Sequence, residues 1–256
     1  MLKALKTAVI TGASSGLGAQ FAKQLRANFP DIECVLLIAR REDRLKALAL
    51  QLEGICAEIL TLDLCDRDSI AALVGTLQEN CSDVRLLVNN AGLGTLGNIA
   101  ESDVETQTRM TDLNVSALTS VTAAVLPFMK SGSHIINVSS IASFCANPRM
   151  TVYSSTKAYV SSLTRGLSVE LKPLGISATA VCPGPMATEF ISVGKITGNS
   201  KMFEALPYCD PVKVVSGVYK AAKSGKVFYT PMAFYKFYRV LAKLLPHAWV
   251  ARLAKT

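Results

Sequence analysis

Seven short apolar runs, each followed by a longer stretch or turn of different periodicity, constrain this chain more than any other feature. The runs cover residues 8–11, 34–38, 58–62, 86–89, 134–138, 176–182 and 227–229. Between them, residues 19–28, 43–53, 69–79, 104–130, 152–172 and 211–224 repeat their apolar positions at helical spacing. A strand exposed to water on one side alternates apolar with polar residues. These runs do not alternate, so they are expected to be covered on both faces. Strands of this kind linked by helices predict an α/β fold, a single doubly wound domain of about seven parallel strands with helices on both faces. Residues 1–230 are expected to form it, with 231–256 as a C-terminal extension of the same domain.

The composition agrees and removes several other classes. Half of the 256 residues are hydrophobic and 18% are charged, ample for a buried core. Seven cysteines, an odd number, stand at 34, 56, 65, 81, 145, 182 and 209 with no Cys-x-x-Cys pair. Neither a disulfide framework nor a zinc site is expected; buried thiols in a reducing, cytoplasmic setting fit better. His134 and His247 are too isolated in sequence to form a metal pair, so no metal is expected. Lys and Arg exceed Asp and Glu by 27 to 19, but no basic run interleaved with aromatics suggests a nucleic-acid groove. No apolar stretch reaches the ~18 residues needed to span a bilayer. Lys3 and Lys6 precede an apolar run that Gly12 breaks too early for a leader peptide.

The first strand runs into Thr11-Gly12-Ala13-Ser14-Ser15-Gly16-Leu17-Gly18, which opens the first helix. Gly12 permits a tight exit from the strand, Gly16 leaves room for a pyrophosphate against the backbone, and Gly18 lets helix and sheet pack closely. Free N–H groups at the helix start, among Ser14, Ser15 and Leu17, suit an anion. This is a Rossmann-like arrangement with Gly-x-x-x-Gly-x-Gly spacing in place of Gly-x-Gly-x-x-Gly. After the second strand, a site for NAD usually carries an acid that bonds the ribose 2′-hydroxyl. Here Arg40 and Arg41 stand instead, with no carboxylate to repel a 2′-phosphate, so NADP(H) is the expected cofactor. Arg40, first after the strand, is the preferred ligand.

Tyr153 and Lys157 fall on one helical face at i and i+4. A free tyrosine has a pKa of about 10; a nearby ammonium, together with the positive nicotinamide ring of an oxidised cofactor, favours its phenolate and makes it a usable acid and base near neutral pH. Ser140 follows the fifth strand on the ligand side of the sheet, where it can converge with Tyr153 on one oxygen.

With the glycine turn, Asn89-Asn90-Ala91-Gly92, Asn114, Ser140, Tyr153 and Lys157 in this order, the chain resembles the short-chain dehydrogenase/reductase family over residues 7–188. The resemblance implies that Tyr153 is the acid/base and that Ser140 hydrogen-bonds the substrate oxygen. It gives Lys157 the nicotinamide ribose and the lowering of the Tyr153 pKa, and gives Asn114 a relay water. It places Asp63 and Leu64 at the adenine, Asn90, Ala91 and Gly92 along the cofactor, and Pro183, Gly184 and Thr188 at the nicotinamide end. It also implies a homodimer or homotetramer, commonly paired through the helices that hold Asn114 and Tyr153. Ser139 is expected to face the packing. Tyr159 has no lysine four residues on, and Cys145 and Cys182 have no base in view.

The expected function is hydride transfer between nicotinamide and a carbonyl or secondary alcohol. Rival readings are a catalytically idle NADP-binding regulatory module and a non-redox use of the phenol. The resemblance implies that residues 186–211 cover the substrate; they carry Thr188, Phe190, Ile191, Met202, Phe203 and Leu206, which suit a hydrophobic small-molecule substrate (steroid-, acyl- or other ketone-type) or, equally, core packing. Lys195 and Lys201 do not define a charged anchor.

Residues 226–256 hold Lys236, Arg239, Lys243, Arg252 and Lys255 without an acid, among Phe234, Tyr235, Phe237, Tyr238, Leu241, Leu244, Leu245 and Trp249; Pro246 divides them. Three roles are open to this segment: peripheral contact with an anionic membrane, a cap on the substrate cleft, or an oligomer interface.

Overall fold

The computed structural model describes residues 5–80, 83–194, 196 and 204–254. Lys3, Cys81, Lys195, Lys201, Met202, Phe203 and Lys255 lie outside the described residues. The strands are β1 (Lys6–Thr11), β2 (Cys34–Ala39), β3 (Cys56–Thr61), β4 (Asp83–Asn89), β5 (Met129–Val138), β6 (Ser177–Val181) and β7 (Phe228–Tyr229). They form one parallel sheet in the order β3-β2-β1-β4-β5-β6-β7. β2 is buried along its whole length, as its unbroken apolar run requires, whereas the edge strand β3 is only half-buried.

Helices cover both faces. On one lie α1 (Gly16–Asn28), α2 (Glu42–Ala49) and, from the far end of the chain, the helix Pro211–Lys223; on the other lie α3 (Arg67–Asn80) and a long helical run beginning with α4 (Val104–Thr111). α1 begins at Gly16, three residues before its apolar periodicity starts, because the glycine turn itself forms the first helical turn. The helix at Pro211 opens where Asp210 accepts from the Val212 N–H and proline, which has no N–H to satisfy, takes the first position. Across the first face Phe21 meets Tyr219 edge to face at 5.4 Å, and the Tyr219 hydroxyl donates to the Phe21 carbonyl at 2.7 Å.

The helix expected over 104–130 is interrupted. α4 passes into a π-helical turn at Asp112–Ala117, which continues as α5 (Leu118–Val125). A 3-10 turn containing Pro127 then ends the run, since proline supplies no donor, and Met129 already belongs to β5. The long helix α6 (Thr151–Glu170) follows β5. Among the described residues no helix is long and apolar enough to cross a membrane, and no cluster of His, Cys, Asp and Glu could hold a metal.

Strand order reverses at β1, whose neighbours are β2 and β4. The loops leaving the carboxyl ends of β1 and β4 part there and open a crevice, the place where such sheets bind ligands.

Candidate functional site

The crevice is a cleft of about 510 Å³. It is lined by Gly12, Ser14, Ser15, Gly16, Leu17, Arg40, Arg41, Asp63, Leu64, Asn90, Ala91, Gly92, Ser140, Tyr153, Lys157, Pro183, Gly184 and Thr188. Of the residues singled out in the sequence, Gly18 and Asn114 lie behind the wall and shape it.

The glycine turn is pinned from two sides. A Cβ on Gly18 would sit 2.2 Å from the Gly12 carbonyl oxygen, so only glycine lets α1 press against the turn. Asn90 at the end of β4 donates through Nδ2 to the Thr11 and Gly12 carbonyls at 3.0 and 3.1 Å. The Thr11 hydroxyl accepts from the Asn90 and Ala91 N–H groups, closing the link between β1 and β4. The first turn of α1 contains no acid, so no side chain of its own opposes an anion at its N-terminus.

Beside this turn, the Arg41 guanidinium donates to the Ser15 hydroxyl at 2.9 Å and to the Ser14 hydroxyl at 3.1 Å. Arg40, which sequence order favours, lies exposed at the rim of the cleft with Asp63 4.0 Å away. The reason is local: α2 begins immediately after Arg41, and its extended backbone directs the Arg41 side chain back over the turn. Asp63 has the wall position expected of it, yet its carboxylate is engaged by Arg109 at 2.5 Å and by the Cys65 N–H at 3.1 Å. Partial burial opposes ionisation of Asp63, but the bonds from Cys65 and Arg109 outweigh it and hold the carboxyl below its ordinary pKa.

At the opposite end, Tyr153 occupies the first turn of α6 and is buried, its ring 5.7 Å from that of Phe190. Ser140 caps the following 3-10 turn by accepting from the Ala142 N–H and also faces the Tyr153 phenol. Lys157, one turn further on, is buried, and its Nζ donates to the Val138 carbonyl at 2.8 Å. The expected lowering of the Tyr153 pKa by Lys157 is not seen in this geometry. Burial dominates, pushing the phenol up to about 12 against the smaller opposing effect of Ser140. Burial likewise brings the lysine down to about 8.

The lysine shift has a measurable sign. Its folded pKa of about 8 lies below the ordinary lysine value of 10.5, so between these values the unfolded chain binds more protons and deprotonation favours folding. Compared with Lys157→Met, the wild type is therefore expected to gain on the order of 1–3 kcal/mol of stability as pH rises through that window. Urea unfolding of both proteins across the window checks this.

Asn114 lies in the π turn. Its Oδ1 accepts from the Leu93 N–H at 2.8 Å, while Nδ2 donates to the Leu93 carbonyl at 2.8 Å and to the Thr156 hydroxyl at 3.0 Å. It thus ties the loop after β4 to α6, where Tyr153 and Lys157 sit. Ser139 turns away from the cleft's centre, donating to the Lys157 carbonyl at 2.9 Å and pairing with Ser161 at 2.8 Å. The thiols need no catalytic role: burial raises both Cys145 and Cys182, and Cys145 pairs with the Tyr238 hydroxyl. His134 pairs with Ser177 at 2.7 Å, and its ring lies tilted against that of Phe29 at 5.6 Å.

Several residues in or beside the cleft escaped the sequence reading. Glu189 heads the short helix α7 (Glu189–Val193) and bridges Arg41 at 2.9 Å and Arg44 at 2.7 Å. Asn147 donates to the Ala142 and Cys145 carbonyls and shapes the segment beside Ser140. Gly94 leaves the space taken by Phe190 and Tyr153, since a Cβ there would lie 2.5 and 2.9 Å from their rings.

The chain then continues through α8 (Pro211–Lys223) to α9 (Ala233–Leu244) and α10 (His247–Leu253). Phe234, Tyr235 and Tyr238 of α9 close the apolar end of the cleft. The Tyr235 ring occupies the space a Cβ on Gly184 would need, and its hydroxyl donates to the Pro207 carbonyl at 2.6 Å. Capping the cleft, one of the three roles open to this segment, is visible in that inner face.

Residues 6–194 match the family described as short chain dehydrogenase. An uncharacterized oxidoreductase of Staphylococcus saprophyticus is 37% identical over 188 residues, which span 72% of this chain and 79% of that protein. Among solved structures, a short-chain dehydrogenase from Sphingobium yanoikuyae in complex with NADPH superposes with a TM-score of 0.78 at 30% identity, covering 95% of this chain and 98% of that one. A bulky-bulky ketone specific alcohol dehydrogenase from Comamonas testosteroni gives 0.73 at 28% identity, covering 96% and 97%. The seven-stranded parallel fold accords with these matches, and the chain belongs to the short-chain dehydrogenase/reductase family of oxidoreductases.

Proposed function

We propose that this protein is an NADP(H)-dependent reductase or dehydrogenase acting on a carbonyl or secondary alcohol of a hydrophobic small molecule, with Tyr153 as acid/base. The observation carrying the proposal is the polarity of one continuous cleft. An anion-binding glycine turn with Arg41 forms one end, and Ser140 with Tyr153 stands among apolar side chains at the other. The residues fit a dinucleotide: Gly12, Ser14, Ser15, Gly16, Leu17 and Gly18 form the pyrophosphate cradle, Asp63 and Leu64 the adenine wall. Asn90, Ala91 and Gly92 line its length, and Lys157, Pro183, Gly184 and Thr188 hold its far end. When bound, the nicotinamide supplies the hydride.

In this reading Ser140 and Tyr153 together orient the substrate oxygen. The phenol, protonated because it is buried, gives its proton to that oxygen during reduction and takes it back during oxidation. Asn114 positions α6 and the loop after β4 around them. Phe190, Ile191, Met186 and Leu206, with the inner face of α9, exclude water and favour an apolar substrate. The protein of Comamonas testosteroni, named for bulky ketones, supports a ketone substrate, and the Sphingobium yanoikuyae complex supports NADPH.

A panel of carbonyls and alcohols, including steroids and 3-oxoacyl thioesters, offered with NADPH and NADH tests the reading. Substrate-dependent change in nicotinamide absorbance supports it. Cofactor binding with no turnover on any substrate favours an idle regulatory module, and product formation without cofactor turnover favours non-redox use of the phenol.

Cofactor preference yields a separate prediction. Arg41→Ala is expected to weaken NADPH by roughly 10- to 100-fold, the value of a charge-assisted hydrogen bond, and NADH far less. Glu189 shares Arg41 and partly neutralises it, so Glu189→Gln is expected to tighten NADPH by up to roughly fivefold with little effect on NADH. Calorimetric titration with each cofactor distinguishes these outcomes; equal effects on both cofactors would remove the 2′-phosphate assignment.

A further inference from the structure

The last 46 residues, 211–256, contain nine Lys and Arg and no Asp or Glu, whereas the 210 before them hold 18 basic and 19 acidic residues. The whole net positive charge of the chain is therefore carried by its C-terminal segment. Within that segment α9 is oriented unusually. It turns Tyr235, Tyr238, Arg239 and Ala242 inward and presents Phe237, Val240 and Leu244 to solvent, with Phe234 at the rim of the cleft. At 100° per residue, Phe237, Val240 and Leu244 fall on one stripe, flanked by exposed Lys236 and Lys243. Phe237 is 63% exposed and Leu244 76%, and Trp249 on α10 adds a side chain 62% exposed near Arg252.

The inward choice has a chemical cause. Tyr235 and Tyr238 find hydrogen-bond partners in the Pro207 carbonyl and Cys145, and Arg239 lies over the rings of Phe228 at 4.3 Å and Phe144 at 5.8 Å. These contacts fix the rotation of the helix and leave its aliphatic and phenyl stripe outside. A stripe of large exposed apolar residues marks an interaction surface.

We propose that the outer face of α9, with α10, docks on an anionic phospholipid surface. Charge selects this occupant. A two-fold interface would set the same patch against itself, bringing Lys236 and Lys243 toward their own copies with no acid in the segment to neutralise them. An anionic headgroup layer pairs with those lysines while its acyl boundary receives Phe237, Val240, Leu244 and Trp249, the division of labour of an interfacial helix. Cleft capping by the inner face is compatible, since the two roles use opposite sides of α9.

Trp249 is the single tryptophan of the chain, so intrinsic fluorescence reports on the docking segment directly. The full-length protein is mixed with vesicles of phosphatidylcholine alone or of phosphatidylcholine with phosphatidylglycerol. Expected are co-sedimentation and a blue shift of tryptophan emission with the phosphatidylglycerol vesicles, both reversed by salt. The double variants Phe237→Ser/Leu244→Ser and Lys236→Glu/Lys243→Glu are each expected to weaken binding at least tenfold while circular dichroism and cofactor affinity stay those of the wild type. No shift or sedimentation with anionic vesicles overturns the proposal, as does equal binding by the charge-reversed variant. Sedimentation velocity showing an oligomer that Phe237→Ser/Leu244→Ser dissociates would assign the face to a second copy of the chain and overturn it as well.

Discussion

Tyr153→Phe is expected to lower turnover by roughly 10²- to 10⁴-fold, the range for losing a general acid/base, while leaving NADPH affinity unchanged. The two halves of this expectation rest on different features. The tyrosine ring is buried against Phe190, so a phenyl ring fills the same space and α6 keeps its place. Lys157 keeps its bond to the Val138 carbonyl, because that contact does not involve the phenol. Only the O–H that faces Ser140 is removed, and with it the proton donor. Single-turnover absorbance of the nicotinamide, beside a calorimetric titration, separates loss of chemistry from loss of binding. Full activity in the variant would exclude Tyr153 as the acid/base and return the site to a purely binding role.

The second large effect concerns the scaffold. Gly18→Ala would place a methyl 2.2 Å from the Gly12 carbonyl oxygen and 2.5 Å from Asn90 Nδ2. Both neighbours are held: the carbonyl is part of the turn, and Asn90 is bonded to the Thr11 and Gly12 carbonyls. The clash cannot be relieved by rotating a flexible side-chain tip, so α1 must withdraw from the turn. A cost of about 2–3 kcal/mol is expected from such overpacking. For a domain of this size that corresponds to a fall in Tm of roughly 5–10 °C. The turn that cradles the phosphates is displaced in the same motion, so cofactor affinity falls together with Tm, in contrast to Tyr153→Phe. Thermal unfolding with and without NADPH measures both. An unchanged Tm would show that the turn yields more readily than its hydrogen bonds indicate.

The inner strands were legible because parallel strands buried on both faces have no polar alternation to hide them, as β2 illustrates with six consecutive buried residues. The glycine turn was legible because its spacing reflects contacts within eight residues. What escaped depends on contacts between distant segments or on a choice between two faces. Glu189 meets Arg44 across 145 positions, and nothing periodic connects an acid in an irregular segment to an arginine on α2. The amphipathic character of residues 233–244 was readable, but not the side that faces inward. Tyrosine can be counted with either face, and only the Pro207 carbonyl and Cys145, present in the folded chain, make the tyrosine side the inner one. The different settings of Arg40 and Arg41 were hidden in the same way: order along the chain favours the first, while in the fold both line the cleft and the second is bonded to Ser14 and Ser15. Tyr153 was legible as a position in the cleft, whereas the extent of its burial, which raises the phenol while the Lys157 nitrogen is bonded to the Val138 carbonyl, depends on packing that spacing does not report.

The π turn at Asp112–Ala117 has a consequence for how this helix tolerates changes in length. A π turn holds one residue more than the α-helical turn it replaces, so it acts as an insertion absorbed without a break. Deleting one neighbouring residue, such as Leu113, would let α4 and α5 fuse into an uninterrupted helix of ordinary pitch. The rest of α5 would keep its packing phase against the sheet, yet the amide of Asn114 would no longer meet both backbone groups of Leu93. A chain shortened there could fold and still lose the strut between the β4 loop and α6. Along this stretch, residue number and fold are separable: the surplus residue serves the site, not the helix.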